Sequence, residues 1–262
     1  MSFVVDERGR LWVLDQINGR LVRYGANGEV ESTIPMDRPN AQDVALADDG
    51  AIAVLDRYGE GDVALYGENG KLAGTLPLVG EGIEAPGDVT GLFVDGTDVY
   101  AESEHGPLVK IGDTSGTPAN PRETIPGRPT RDGKAYLKAG ITDAKAGRTY
   151  VIANERPSEA HLFTREIRFE GIVWHLVLLD TDREGTIYFA AEIQPGAEGA
   201  HPNVVVLACL DGATGVPKGS AELPANTLPE ESFRDLVVLD EGGVVATLRT
   251  EEGVSYKRYD CE

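Results

Sequence analysis

Three aspartates stand at the beginning of apolar segments of the chain, in positions from which their carboxylates could act together. They are Asp43 in NAQDVAL, Asp88 in PGDVTGL and Asp235 in SFRDLVV. Carboxylate oxygens are the ligands that Ca²⁺ prefers, and His175 in IVWHLVL adds an imidazole to the set. These four residues are the candidate metal ligands. The alternative interpretation is that the aspartates accept backbone N–H bonds where strands begin.

Zinc chemistry needs a different set of ligands, and three histidines meet its first requirement. His105, His161 and His201 each precede a segment that is predicted to be a strand, and three imidazoles with one open position suit a catalytic Zn²⁺. Equivalent positions on neighbouring sheets, however, lie on the order of 10 Å apart. Because one zinc ion needs its ligands within about 2 Å, exposed loop histidines are the simpler interpretation.

Other catalytic patterns do not occur in the sequence. It contains no G-x-S-x-G nucleophile segment, no Walker loop and no dinucleotide-binding loop. Paired carboxylates such as Asp48 and Asp49 lie in turns, where they are most simply solvated. We therefore name no catalytic residue, expect no cofactor other than a Ca²⁺ ion in the metal interpretation, and favour a protein that is not an enzyme.

A basic segment contrasts with the acidic remainder of the chain. Within residues 112–136 it concentrates Arg122, Arg128, Arg131 and Lys134, with prolines between them. Long loops on rigid scaffolds often carry function, so these four residues are candidates for binding an acidic partner or a carboxylated ligand. The alternative is that the segment only spaces two structural repeats.

Charge and hydropathy exclude several classes of partner. The 262 residues include 44 Asp and Glu against 24 Lys and Arg, which gives a formal net charge of −20. A surface of this charge repels nucleic acid and anionic lipid, since both require cationic side chains. No stretch approaches the roughly 18 consecutive apolar residues of a membrane span. We expect no nucleic-acid binding, no membrane insertion and a monomer.

The elements that would position the candidate residues form an internal repeat of about 40–50 residues. Each copy contains an apolar strand, an acidic turn with glycine, and a second apolar strand, a pattern typical of β-hairpins. The predicted turn glycines are Gly9, Gly50, Gly96, Gly147, Gly185 and Gly243. Further strand candidates follow each copy, so the unit is predicted to contain four antiparallel strands. Such units bury their faces by stacking against one another.

The first repeat resembles the NHL type. Its matching elements are the turn from Asp6 to Gly9, the strand end from Val13 to Asp15, the loop from Asn18 to Arg20, and the pair Asn27-Gly28. The second repeat keeps most of them, and later repeats keep mainly the glycine turn. The resemblance implies an all-β, six-bladed β-propeller as a single domain over 1–262. Its approximate blades are 1–37, 38–83, 84–130, 131–173, 174–230 and 231–262.

The end of the repeat predicts an incomplete last blade. Residues 231–262 provide three strand candidates, so either the blade has three strands or a fourth strand lies upstream of residue 1. We favour the second interpretation, an excised domain of a larger exported bacterial protein that is periplasmic or extracellular. The sequence leaves open whether its two cysteines, Cys209 and Cys261, pair with each other, and we favour two reduced thiols.

The propeller fold does not by itself define an activity, because it hosts binding proteins, lactonases and lyases. We predict a non-enzymatic domain that binds a protein, a peptide or a glycan on a loop rim. The alternative is a metal-dependent hydrolase, lactonase or lyase that holds Ca²⁺ or Zn²⁺ in the central channel.

Overall fold

The structure, a computed structural model, describes residues 2–103, 107–196, 203–224, 226 and 234–262. In these residues it has twenty-three β-strands and one 3₁₀ turn, at Pro86–Asp88, and the strands form six antiparallel sheets. This confirms the predicted fold class, an all-β six-bladed propeller, and in the described residues the last sheet has three strands. The chain divides into two compact units, residues 1–125 with 230–235 and residues 126–229 with 236–262.

The first unit contains three four-stranded sheets, and in each the strands follow one another along the chain. Sheet one consists of β1 (Ser2–Val5), β2 (Leu11–Asp15), β3 (Arg20–Tyr24) and β4 (Val30–Pro35). Sheet two consists of β5 (Asp43–Leu46), β6 (Ile52–Asp56), β7 (Asp62–Tyr66) and β8 (Leu72–Pro77). Sheet three consists of β9 (Val89–Asp95), β10 (Asp98–Ser103), β11 (Leu108–Asp113) and β12 (Thr124–Ile125).

The second unit contains two four-stranded sheets and one three-stranded sheet. Sheet four consists of β13 (Arg128–Pro129), β14 (Ala135–Asp143), β15 (Arg148–Glu155) and β16 (His161–Arg168). Sheet five consists of β17 (Ile172–Thr181), β18 (Ile187–Gln194), β19 (Val204–Leu210) and β20 (Pro217–Leu223). Sheet six consists of β21 (Leu236–Val238), β22 (Val244–Thr250) and β23 (Gly253–Tyr259).

The hydrophobic cores lie between consecutive sheets. In the first unit, one cluster joins sheets one and two and includes Leu14, Leu21 and Val54, and a second joins sheets two and three. In the second unit, comparable clusters join sheet four to sheet five and sheet five to sheet six. Each sheet thus buries its apolar side chains against a neighbouring sheet, as repeat architectures require.

The polar residues of the first repeat form a local hydrogen-bond network. Asp15, the last residue of β2, accepts hydrogen bonds from the Asn18 side-chain amide at 2.9 and 3.0 Å and from Arg20 Nε at 2.8 Å. These bonds hold the turn between β2 and β3. In the second repeat Asp56 takes the same position and accepts the Gly59 N–H at 2.8 Å. The spacing of these residues is therefore explained by turn geometry.

Sheet four differs from the predicted order of strands. Its first hairpin turns at Gly133, where the Gly133 N–H donates to the Thr130 carbonyl at 2.8 Å, as Gly9 does to Asp6 in sheet one. Both glycines have positive φ, 70° and 72°. Gly147 instead joins β14 to β15, the second and third strands. The prediction placed Gly147 in the first hairpin because β13 has only two residues and shows no alternation of apolar side chains.

The two cysteines are bonded, so the prediction of reduced thiols is wrong. Cys209 of β19 and Cys261 near the C-terminus form a disulfide. Beside it, the backbone N–H and carbonyl groups of Ser220 and Glu262 pair at 3.3 and 3.4 Å. The last residues of the chain are therefore fastened to sheet five. The sequence alone could not show this, because 52 residues separate the two cysteines.

Reduction of the Cys209–Cys261 disulfide should lower the free energy of unfolding by up to about 4 kcal/mol, because a bond across this separation restricts the unfolded chain. Urea unfolding followed by circular dichroism, with and without dithiothreitol, measures the difference. The Cys261→Ala variant is the control, and its midpoint should be low and insensitive to dithiothreitol. Equal midpoints for oxidised and reduced wild-type protein would contradict the bond.

Candidate functional site

Asp43, the first candidate metal ligand, has a fully engaged and buried carboxylate. Its side chain is 1% exposed. One oxygen accepts the Ser2 hydroxyl at 2.6 Å and the Val44 N–H at 2.9 Å, and the other accepts the Leu92 N–H at 2.9 Å. Arg234 donates to the two oxygens at 3.2 and 2.9 Å. One side chain thus connects β1, β5 and β9 with the returning segment at residue 234.

The electrostatics of Asp43 agree with this role. Burial by itself would raise the pKa of the carboxyl. The attraction of the Arg234 guanidinium, its hydrogen bonds and those from Ser2 and Leu92 outweigh burial and lower the pKa below its usual value. The carboxylate is therefore charged, and the groups that donate to it belong to the same unit of the chain. For Asp43 this agrees with the alternative interpretation, in which the aspartates accept hydrogen bonds where strands begin.

The other candidate metal ligands lie in different surroundings. Asp88 is exposed at the end of the 3₁₀ turn, Asp235 is partly exposed, and His175 is exposed on β17. No three His, Cys, Asp or Glu side chains in the described part of the chain are arranged to hold a metal ion. Of the three histidines considered for zinc, His161 is exposed, while His105 and His201 lie outside the described residues. The metal site stays a prediction.

Two arginines of the predicted binding segment hold backbone carbonyls of a neighbouring sheet. Arg122 in the first unit donates to the carbonyls that end β8, Pro77 at 2.6 Å and Leu78 at 2.5 Å. In the second unit Arg128 donates to the Leu178 and Leu179 carbonyls of β17 at 2.5 and 2.7 Å. The acceptors are more than 40 residues away in the chain, so sequence reasoning could not find them.

Arg131 and Lys134 differ in how they are engaged. Arg131 donates to the Asp180 carboxylate at 3.2 Å and to the Val238 carbonyl at 2.9 Å, and it forms an ion pair with Asp240. Lys134 has an 81% exposed side chain and pairs locally, with Asp132 at 2.8 Å. A binding role for the four residues stays a prediction, and Lys134 is the one best placed to meet a partner.

An exposed aromatic side chain marks sheet five of the second unit. Val173 pairs with Ile193 and His175 with Glu192, so Trp174 is the extra residue of a β-bulge. Bulges turn a side chain away from its regular direction, and Trp174 is 53% exposed. Asn203 donates to the Glu192 carboxylate at 2.6 Å. We refer to Trp174, His175, Glu192 and Asn203 as the bulged corner.

A shallow depression of about 500 Å³ lies in the first unit, lined by Arg23, Gly67, Glu68 and Asn69. The Arg23 guanidinium lies 5.1 Å from the ring centroid of the buried Trp12 and 3.1 Å from the Glu68 carboxylate. The two opposite charges therefore neutralise each other. The bulged corner presents exposed aromatic surface and is the stronger candidate for a binding site.

Comparisons with known proteins bear on the fold alone. No protein-family model and no curated protein matches the chain, so the NHL resemblance stays a prediction. A chain in a crystal structure of the mitotic checkpoint complex has 12% identity and a TM-score of 0.57, covering 98% of this chain and 86% of that one. KlHsv2 with loop 6CD replaced by a Gly-Ser linker has 8% identity and a TM-score of 0.54, covering 100% and 97%. A DUF4221 family member from Bacteroides vulgatus has 11% identity and a TM-score of 0.55, covering 98% and 93%.

Across the ranges that the structure describes, no helix has the length and apolar character needed to cross a bilayer.

Arg234→Ala should lower the free energy of unfolding at pH 7 by about 3–5 kcal/mol, because it leaves the Asp43 carboxylate buried without its cation. In the wild type the lowered pKa of Asp43 contributes stability that is complete above about pH 4 and is lost as pH falls through the native pKa. The variant should lose that contribution. Urea unfolding at pH 7, at pH 4 and at a pH well below 4 measures both effects.

The control for this comparison is Lys134→Ala, which removes an exposed ion pair and should change the free energy of unfolding by less than about 1 kcal/mol at every pH. Equal effects of the two substitutions at pH 7 would contradict the role of Arg234.

Proposed function

We propose that the chain is a non-enzymatic interaction domain that binds a partner protein at the bulged corner. The observation that carries the proposal is the exposure of Trp174 at a β-bulge. Tryptophan is among the residues that contribute most binding energy at protein interfaces, and its ring is usually buried in a folded domain. An exposed ring on a rigid strand is ready to enter a pocket of a partner.

The polar members of the bulged corner support the same function. His175, Glu192 and Asn203 can donate and accept hydrogen bonds at the same end of sheet five as Trp174. Protein interfaces combine an aromatic centre with a polar rim in this way. The sheet holds the four residues on β17, on β18 and directly before β19, so little conformational entropy is lost when a partner binds.

The fold is consistent with a partner protein. One of the similar structures is a chain of the mitotic checkpoint complex, which is an assembly of proteins. Propellers present their loops and strand ends from a rigid scaffold, and such surfaces are where binding residues concentrate.

The disulfide supports an oxidising location. Bonds such as Cys209–Cys261 persist in secreted and periplasmic proteins and are rare in reducing compartments. We therefore place the interaction in the periplasm or outside the cell, where the net charge of −20 also favours solubility.

Trp174→Ala should weaken partner binding by about 30-fold, since interface tryptophans cost at least about 2 kcal/mol when truncated. Peptides selected from a random displayed library on the wild-type protein serve as probes, and their affinities for each variant are measured by biolayer interferometry. The emission of Trp174 should shift on binding, because the second tryptophan, Trp12, is 2% exposed.

The matched control is Leu162→Ala, which removes another apolar side chain of the second unit with 50% exposure. It should leave affinities unchanged. The proposal fails if the selected peptides bind Trp174→Ala as well as they bind the wild type.

The competing function, a metal-dependent hydrolase or lyase, requires a resident Ca²⁺ or Zn²⁺. We expect elemental analysis of the purified protein to find neither ion in stoichiometric amount. Thermal unfolding should be the same with EDTA, added Ca²⁺ or added Zn²⁺. A stoichiometric ion, or a midpoint that EDTA lowers, would favour the enzyme and return Asp43, Asp88, Asp235 and His175 to the centre of the function.

A further inference from the structure

The turns between the second and third strands of sheets one and two each expose a large apolar side chain. Ile17 is the second residue after β2 and is 92% exposed, and Tyr58 is the second residue after β6 and is 63% exposed. A single exposed apolar residue is ordinary on a protein surface. Here the same turn position is apolar and exposed in two consecutive sheets, which indicates a shared surface.

Both turns are fastened to the sheet that follows. The residue before each exposed side chain makes the contact. Gln16 donates from its side-chain amide to the Ala41 carbonyl at 2.6 Å, and Arg57 donates to the Val89 carbonyl at 2.7 Å. The Arg57 guanidinium also lies 4.4 Å from the centroid of the Tyr58 ring. The two turns are therefore held in place before a partner arrives, so their ordering costs little on binding.

The connections between sheets lie at the same end as these turns. The Met36 N–H, directly after β4, donates to the Gly19 carbonyl at 2.8 Å, and the Leu78 N–H, directly after β8, donates to the Gly61 carbonyl at 3.0 Å. Sheets one and two share a hydrophobic core. The two exposed turn residues are thus separated by on the order of 10 Å, the usual distance between packed sheets, which is about the length of three residues of extended chain.

This end of sheets one and two carries an excess of negative charge. Its turns and connections, residues 15–20, 36–42, 56–62 and 78–88, contain eight Asp and Glu against three Arg and no Lys. The exposed acidic residues among them are Asp37, Glu60, Glu81, Glu84 and Asp88. We refer to these five residues, together with the two exposed apolar turn residues, as the acidic rim.

The three arginines of these segments are engaged within the first unit. Arg20 pairs with Asp15 at 2.8 Å, and Arg38 pairs with Asp62 at 3.2 Å. Arg57 holds a backbone carbonyl of sheet three. The charge that the acidic rim presents to a partner is therefore negative.

We propose that the acidic rim binds a basic segment of a partner protein. Two apolar side chains of the segment cover Ile17 and Tyr58, and its Lys or Arg side chains lie beside the exposed carboxylates. Interfaces of this kind combine an apolar centre, in which Tyr is enriched, with charges that steer the partner and fix its register. The acidic rim belongs to the first unit and the bulged corner to the second, so different variants test the two interactions.

A second copy of the chain does not fit the acidic rim. A symmetric dimer through this surface would place the same carboxylates opposite each other, and like charges across an interface oppose association. Nucleic acid and anionic lipid are repelled in the same way. The exposed apolar side chains and the negative charge together therefore select a basic polypeptide.

The probes are short peptides selected from a random displayed library on the wild-type protein, after removal of those that bind the Ile17→Ser/Tyr58→Ser variant. We expect the selected peptides to carry a net positive charge. By biolayer interferometry, synthetic copies should bind that variant at least about tenfold more weakly than wild type, since both apolar contacts are lost. Glu60→Gln should weaken binding by about two- to fivefold, and raising NaCl to about 0.5 M should weaken it further.

The matched control is Val30→Ser/Leu72→Ser. These two apolar residues begin β4 and β8 at the opposite end of the same two sheets, and they are 58% and 42% exposed. The control variant and Trp174→Ala should both bind the selected peptides like wild type. The circular dichroism spectrum and urea midpoint of Ile17→Ser/Tyr58→Ser should match those of wild type, because both replaced side chains are exposed.

The proposal is overturned if no peptide survives the selection, if the survivors carry no net positive charge, or if salt leaves their affinities unchanged. Equal weakening by the control variant would also overturn it, because the loss would then not belong to the acidic rim. Weaker binding to Trp174→Ala would assign the peptides to the bulged corner and overturn it as well.

Discussion

The buried carboxylate of Asp43 is the interaction on which the first unit depends. It accepts hydrogen bonds from Ser2 and from the backbone of Leu92, and it pairs with Arg234. The first strands of sheets one, two and three thus meet at the Asp43 carboxylate. Arg234, almost two hundred residues later in the chain, joins them there. A buried charge of this kind is tolerated only when each of its oxygens is satisfied. The geometry of the strand ends is therefore set by these few donors.

Local features of the fold could be predicted from the sequence, and long-range ones could not. The Asp6–Gly9 turn and the Asn27-Gly28 hairpin could be predicted because glycine readily adopts positive φ. The recurrence of such glycine turns along the chain predicted six sheets. Sheet four was misread because β13 is two residues long. The long-range partners of Asp43, Arg122 and Cys209 lie 41 to 191 residues away, and no sequence spacing indicates them. At the candidate site, the sequence shows that Trp174 and His175 are adjacent. It could not show the bulge, because the bulge is defined by the pairing of β17 with β18.

The bulged corner that we propose for binding lies where the repeat is irregular. A regular blade buries its apolar side chains against its neighbours and satisfies its own polar groups, so along its strands it offers little to a partner. The bulge at Trp174 breaks that regularity in sheet five. The rigid remainder allows the bulged corner to stay formed without a ligand, which lowers the entropic cost of binding.

Native-state hydrogen exchange of the wild-type protein tests the rigidity of this scaffold most directly. We predict that the amides of Leu92 and Val44, which donate to Asp43, exchange only through global unfolding. Exchange of Leu92 by local opening would contradict the account.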